Sequence, residues 1–321
     1  MRSLSKGMGW STMRRLWGLA AAVLTINVIA TIALLSASEG RSSREVRLWI
    51  GGDVNLGTRN NRVLKPLEDM LKGAAGIVNL EGPAAEAEPG PGGKKIVLIN
   101  APETLSQLRD VGVRVAGIAN NHSLDAGAEG PRQTAEALER AGMVASGGPV
   151  GPAVFSVGGL PMVVAAYDLS GGVPRNLEEG LHAARQRGNL LIASFHVAGP
   201  PSYLPHPELR SAVKIAIAAG AKIVVAHGTH AIGPVERRGN LVVAWGLGNL
   251  VFACDCTNER EGLLLEIVLR DGEIDYASVI PIEVGLKGEP ARLSADANGV
   301  FDLLEGIGSV KLVRQGRKAT F

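Results

Sequence analysis

The chain repeats one unit: a short apolar run that stops on a residue able to do chemistry. Val46, Leu48 and Ile50 alternate before Gly51-Gly52-Asp53. AGIVNLE (75–81), KKIVLIN (94–100), VRVAGIANN (113–121), LPMVVAAYDL (160–169), NLLIASFH (189–196) and AKIVVAH (221–227) follow the same pattern. Apolar runs of this length, bounded by turn residues, predict strands. Helical patterns fall between several of them, around 102–111, 130–141, 176–187 and 207–219, with Pro102, Pro131 and Pro207 placed as at helix starts. This alternation predicts an α/β sheet domain. From residue 232 the pattern changes to strands joined by tight turns, with hairpin signals at Arg238-Gly239-Asn240 and Asp271-Gly272, so this half is expected to add antiparallel strands. The domain is read as 45–285. The basic, less periodic stretch 286–321 is read as a short helix around 300–308 plus a tail, and EAEPGPGGKK (86–95) as an exposed loop.

A second constraint lies at the N-terminus. A basic leader (1–15) carrying Arg2, Lys6, Arg14 and Arg15 precedes LWGLAAAVLTINVIATIALL, residues 16–35, which holds no charged side chain. Twenty helical residues reach roughly 30 Å, the hydrocarbon thickness of a bilayer. The run exceeds the usual signal-peptide core of about 7 to 15 residues, although the small residues Ser36, Ala37 and Ser38 offer a cleavage point, so it reads as an uncleaved transmembrane signal anchor. The leader is expected on the cytoplasmic side and the rest outside the cell membrane, tethered by the polar linker 36–44. Net charge is only +2, from 33 basic and 31 acidic residues, which argues against nucleic acid as a partner. Cys254 and Cys256, the two cysteines, are one residue apart; free thiols and a strained bridge both remain open.

The chemistry gathers where the apolar runs end. Asp53, Glu81, Asn121 with His122, His196 and His227 each close a predicted strand. In a parallel sheet such ends share one edge, where ligands bind. Taken singly, Asp53 reads as a turn residue, Asn120 and Asp125 as helix caps, and His196 as a satisfied core imidazole. Together they have the composition of a two-metal centre, with hard carboxylates, an amide oxygen and several imidazoles, suited to Mn, Zn, Fe or Mg. His182 and His206 stand outside this pattern and read as surface or capping residues.

The stretches GGDVNLG, VNLEGP, IANNHSLDAG, SFHVAG, AHGTHAIGPVE and GLGNLVF resemble, in this order, the motifs of the CapA family of poly-γ-glutamate capsule synthesis proteins, over roughly residues 45–270. The resemblance implies a fold like that of metallo-dependent phosphatases, a four-layer αββα sandwich with two divalent ions at the strand ends. It implies Asp53, Asn55, Glu81, Asn121, His196, His227 and His230 as metal ligands, Glu81 as the bridging one, with His122 facing the substrate and Asp125 orienting it. Asn55 stands where phosphoesterases have histidine, Ala226 where the last motif opens on glycine, and Gly228-Thr229 where many CapA proteins have His-Pro. The function implied is synthesis, export or processing of poly-γ-glutamate or a related anionic surface polymer beside other membrane-bound capsule proteins, by metal-assisted hydrolysis or transfer. The alternatives are a non-enzymatic, metal-dependent polymer-binding component and a general extracytoplasmic phosphodiesterase.

Overall fold

The computed structural model describes residues 44–58, 62–85 and 96–321. The basic leader, the uncharged run 16–35, the tether as far as residue 43 and the 86–95 loop lie outside the described residues. No helix among the described residues is long and apolar enough to cross a membrane.

The strands are β1 (Glu45–Asn55), β2 (Ala75–Leu80), β3 (Val113–Gly117), β4 (Val144–Ser146), β5 (Ala153–Val157), β6 (Leu160–Asp168), β7 (Leu190–His196), β8 (Ile223–His227), β9 (Val235–Arg238), β10 (Leu241–Ala244), β11 (Asn249–Phe252), β12 (Glu261–Arg270), β13 (Glu273–Glu283), β14 (Gly285–Leu286), β15 (Arg292–Leu293), β16 (Val313–Gln315) and β17 (Lys318–Thr320). They form two sheets. One runs β16-β17-β13-β12-β1-β2-β3-β4, with β11, β14 and β15 at its margins; the other runs β5-β6-β7-β8-β10-β9. β1 to β4 are parallel to one another, as are β6, β7 and β8.

Alternation along the strands sets the layers. Leu48 and Ile50 of β1, Ile77 of β2, Val164 of β6, Ile192 of β7 and Val225 of β8 share one buried cluster, which fills the space between the two sheets. The other face of the first sheet, with Trp49, Val78 and Val113, packs against Leu105, Leu108 and Leu138 from the segments Pro102–Asp110 and Gly130–Arg140. The other face of the second sheet packs Val163 and Leu191 against Leu181 and Ala212 from helices Leu177–Arg185 and Pro207–Ala218. The result is an α/β sandwich in which helices cover the outside of two facing sheets. Each buried aliphatic side chain contributes roughly 1.5 to 3 kcal/mol of transfer free energy, and both faces of each sheet are so used.

Several expectations need correction. The described part of KKIVLIN, residues 96–100, forms no strand: 96–99 are irregular, the Leu98 N–H is taken by the Asp125 carboxylate, and Asn100 makes an isolated bridge to Ala84. The helix expected over 102–111 is a 3₁₀ turn, Pro102–Leu105, continued as Ser106–Asp110. Neither Asn120 nor Asp125 caps a helix; the next one, Gly130–Arg140, has Glu129 at its N-cap without a side-chain capping bond. The C-terminal strands are not all antiparallel, since β10 lies parallel to β8 and β11 parallel to β1. The last stretch is built into the fold: helix Ala297–Ile307 buries Val300, Phe301 and Leu304, and β17 pairs with β13. Both hairpins form as read, at Arg238 to Leu241 and at Asp271-Gly272, where both turn residues have positive φ.

Candidate metal centre

The same alternation that builds the core carries the polar residues onto the inter-sheet face at the strand ends. On β2, Asn79 follows Ala75 and Ile77, with Glu81 one residue past the strand's end; on β7, His196 follows Ile192; on β8, His227 follows Val225. β1 would break this pattern, since Val46, Leu48 and Ile50 point inward and strict alternation would turn Asp53 outward. It is corrected by an irregularity at Gly51-Gly52: β1 advances from Ile50 to Asp53 while β2 advances only from Ile77 to Asn79. One extra residue flips the face and brings Asp53 inward. Gly52 is needed there, because a Cβ on it would lie 2.0 Å from the Gly248 carbonyl oxygen. That close approach places Asn249 in register with Asp53.

Asp53, Glu81 and His196 are all buried, and each offers a ligand atom within 4.8 Å of the others. Around them, His227 Nδ1 lies 3.6 Å and His230 Nδ1 3.5 Å from Asp53 carboxylate oxygens, and His196 Nε2 and His230 Nε2 each lie 4.0 Å from Glu81 Oε1. These gaps exceed hydrogen-bonding distance. Two ligands that share an ion at about 2.0 to 2.2 Å stand about 3 to 3.5 Å apart, so the gaps are close to those of a coordination shell. His227 carries the clearest indication: both its ring nitrogens are buried with no hydrogen-bond partner, as is Glu81 Oε2. Leaving such groups unsatisfied is costly, and a cation between them removes the cost. The donor set therefore fits a divalent metal.

The remaining expected residues are placed as follows. Asn121 Oδ1 lies 2.8 Å from His196 Nε2. His122 stands with Nδ1 2.6 Å from Asp125 Oδ2 and Nε2 3.9 Å from Glu81 Oε1, so one edge is held and the other faces the cluster. Asn55 is buried close by, its Nδ2 donating to the Glu81 carbonyl and to Asn100 Oδ1. His230 sits at φ 56, a conformation rare outside glycine, held by Asn249 Oδ1 at 2.8 Å and by edge-on contact with Phe252. His182 is at an exposed helix surface, and His206 occupies an N-cap position without making a capping bond.

Four polar residues were passed over in the sequence. Asn79 donates to Asp53 Oδ1 at 2.8 Å and lies 3.2 Å from His196 Nδ1. Asn100 accepts from the Leu56 N–H and donates to the carbonyls of Glu81 and Gly82, and Asn249 meets His230. Asp168 ends β6 in register with His196. Asn79 and Asn249 lie inside the quoted motifs VNLEGP and GLGNLVF, and Asp168 closes an apolar run as Asp53 does; strand-end position was the available signal.

Electrostatics divides the two carboxylates. Burial pushes the Asp53 carboxyl up, but its contact with His230 and the charges of His227 and His196 outweigh this and hold it below the ordinary range. Glu81 goes the other way, raised well above the usual value by burial and then by the Asp53 charge. Burial lowers His227, and lowers His196 to about 4 despite Asp53. For His230 burial is overcome by Asp53 and Glu81, which raise it to about 9. A cavity that keeps two imidazoles, His196 and His227, neutral beside one firmly ionised carboxylate and one carboxylate short of positive charge is electrostatically prepared for a cation.

Just beyond β11, Cys254 and Cys256 are joined as a disulfide with Cα atoms 5.2 Å apart, which decides between the two open alternatives.

Fold and site together define an α/β sandwich protein with a buried carboxylate–imidazole cluster able to hold a metal. A solved structure of a hypothetical protein from Thermus thermophilus has the same fold, with a TM-score of 0.51 at 16% identity, covering 74% of this chain and 99% of that one. The chain belongs to the bacterial capsule synthesis protein family PGA_cap, whose model matches residues 47–254. It is similar to the capsule biosynthesis protein CapA of Bacillus anthracis, 24% identical over 235 residues that cover 65% of this chain and 57% of the relative. It is similar also to the PGA biosynthesis protein CapA of Bacillus subtilis (strain 168), 25% identical over 226 residues that cover 64% and 59%. The chain thus spans under three fifths of the length of these relatives.

Proposed function

We propose that the protein is anchored in the cell membrane by residues 16–35, with the domain outside, and acts on poly-γ-glutamate or a related anionic surface polymer through a dinuclear, hydrolase-type site like that of metallo-dependent phosphatases. Support for the anchor is the uncharged run behind a basic leader. Support for the polymer is family membership and the similarity to two CapA proteins of capsule and PGA biosynthesis. The observation that carries the site is His227, buried with neither nitrogen satisfied, beside the Asp53, Glu81 and His196 group.

Asp53, Glu81, His196, His227 and His230 would hold the metal, with Asn121 completing the shell. Bound divalent ions supply Lewis-acid polarisation and neutralise the negative charge that develops on a phosphoryl or acyl oxygen under attack. The chain's own residues do the rest. Asn79 and the Gly228 N–H each donate to an oxygen of Asp53 and fix its orientation. Asp125 is itself fixed by the Leu98 N–H, and it holds the Nδ1 edge of His122 so that Nε2 faces the cluster and can pass a proton to a leaving group.

One observation favours the second reading, a metal-dependent polymer-binding component without turnover: Asn55 stands where phosphoesterases carry histidine, and with its Nδ2 tied to a backbone carbonyl and Asn100 it offers only an amide oxygen to one half of a two-ion site. Elemental analysis of the purified chain beside Glu81→Ala and His227→Ala tests the common element. Both variants are expected to lose most of the metal; full retention by both sinks the assignment. Assays of activated phosphodiesters and poly-γ-glutamate on the same samples then separate enzyme from binder.

A further inference from the structure

Asp168 stands apart from the residues assigned above. It is the third member of a row: Asp168, His196 and His227 end β6, β7 and β8 in mutual register, so all three side chains leave the sheet on the same face. Adjacent strands are about 4.8 Å apart, which puts Asp168 one strand spacing from the metal centre. Its charge is felt there, acting to raise both Glu81 and His196. Yet Asp168 is not one of the grouped ligands and is only partly buried. Oδ1 accepts from the Ser170 N–H and hydroxyl, which fixes the carboxylate, and among the described residues Oδ2 has no hydrogen bond.

Over this strand end lies a cavity of about 330 Å³, lined by Asp168 with Ser123, Asn176, Tyr167, Ala119 and Gly147. Ala119 and Ser123 belong to the same loop as Asn121 and His122, so the cavity borders the metal centre. Gly147 keeps this corner open: at φ 102, a Cβ on it would lie 2.7 Å from that of Ala119. Among the described residues no lysine, arginine or histidine lines the cavity, and Asp168 is the only charged one that does. That excludes a subsite for an anionic group. A second metal ion is also a poor fit, because one carboxylate among neutral oxygens is a thin shell for a divalent cation. A singly charged group with several N–H donors matches a fixed carboxylate flanked by a hydroxyl and an amide.

We propose that this cavity is a subsite for a primary ammonium group, with Asp168 as its counter-ion. The inference rests on the polymer reading above and deepens it. A chain of γ-linked acidic residues carries one ammonium, at its amino end, so an ammonium subsite one strand from the metal centre makes the site a reader of chain ends rather than of chain interiors.

The test is calorimetric titration of the metal-loaded full chain and of Asp168→Asn with three probes: a γ-glutamyl dipeptide with a free amino terminus, its N-acetylated form, and ethanolamine as an ammonium unconnected with the polymer. The substitution is expected to weaken the free dipeptide and ethanolamine by about tenfold or more, the scale of a charge-assisted hydrogen bond, while leaving the acetylated peptide and the metal content unchanged. Dependence of ethanolamine binding on Asp168 with no binding of either dipeptide keeps the subsite and overturns the polymer reading. Failure of ethanolamine and the free dipeptide to distinguish wild type from Asp168→Asn, with metal still bound, overturns the subsite.

Discussion

His122 is the residue whose role depends most on what lies around it. Alone in IANNHSLDAG it is one polar residue among several; in the fold its Nδ1 edge meets a buried carboxylate and its Nε2 looks across 3.9 Å to Glu81. If it delivers a proton in the rate-determining step, His122→Ala should reduce turnover of an activated phosphodiester by about 10² to 10⁴-fold with metal content intact, as measured by steady-state kinetics and elemental analysis on one preparation. Equal losses of metal and activity would place His122 among the ligands instead. At this scale much of the site was legible. Six of the seven expected ligands do converge, because each ended an apolar run whose direction periodicity had already set, or followed closely on one. Asn55, two residues past the face-flipping irregularity, lies beside them with its Nδ2 turned to the Glu81 carbonyl and Asn100. Asn100 itself was hidden in a run read as a strand.

At the scale of elements, the glycine-rich turns act as alignment devices. Gly51-Gly52 was legible as a loop after a strand, but its work is to insert one residue into β1 and turn Asp53 inward, and to let the backbone at Gly248 approach. Gly52→Ala must push these two segments apart. The expected cost is about 1 to 3 kcal/mol in denaturant unfolding, the usual scale of forced overpacking, together with weaker metal binding because Asp53 and Asn249 move with the backbone. Unchanged stability and metal affinity would show that the approach is not needed. Local sequence cannot reveal this, since the partner of Gly52 lies in a distant part of the chain. The same separation hid the parallel placement of β10 and β11: short hairpin turns announce antiparallel neighbours, but which older strand receives the new pair is decided by the sheet.

At the scale of the molecule, the centre is a joint between the two sheets, with Asp53 and Glu81 supplied by one and His196 and His227 by the other. Anything that binds there ties the sheets together and stabilises only the folded state. At a free metal concentration about 100 times Kd the gain is about 2.7 kcal/mol, so stripping the ion with a chelator should lower Tm by several degrees, and returning the metal should restore it. A Tm indifferent to chelation in a sample shown to hold metal would argue against a site spanning both sheets. The sequence by itself determined the strand and helix periods, the strand-end positions of the polar residues and the family motifs, because these depend on spacing along the chain and on the alternation of side chains. Only the tertiary structure decided which strands go to which of the two sheets, that one inserted residue aims Asp53 inward, and that Asp168 lines up beside the histidines, because pairing and register are set by packing between segments far apart in sequence.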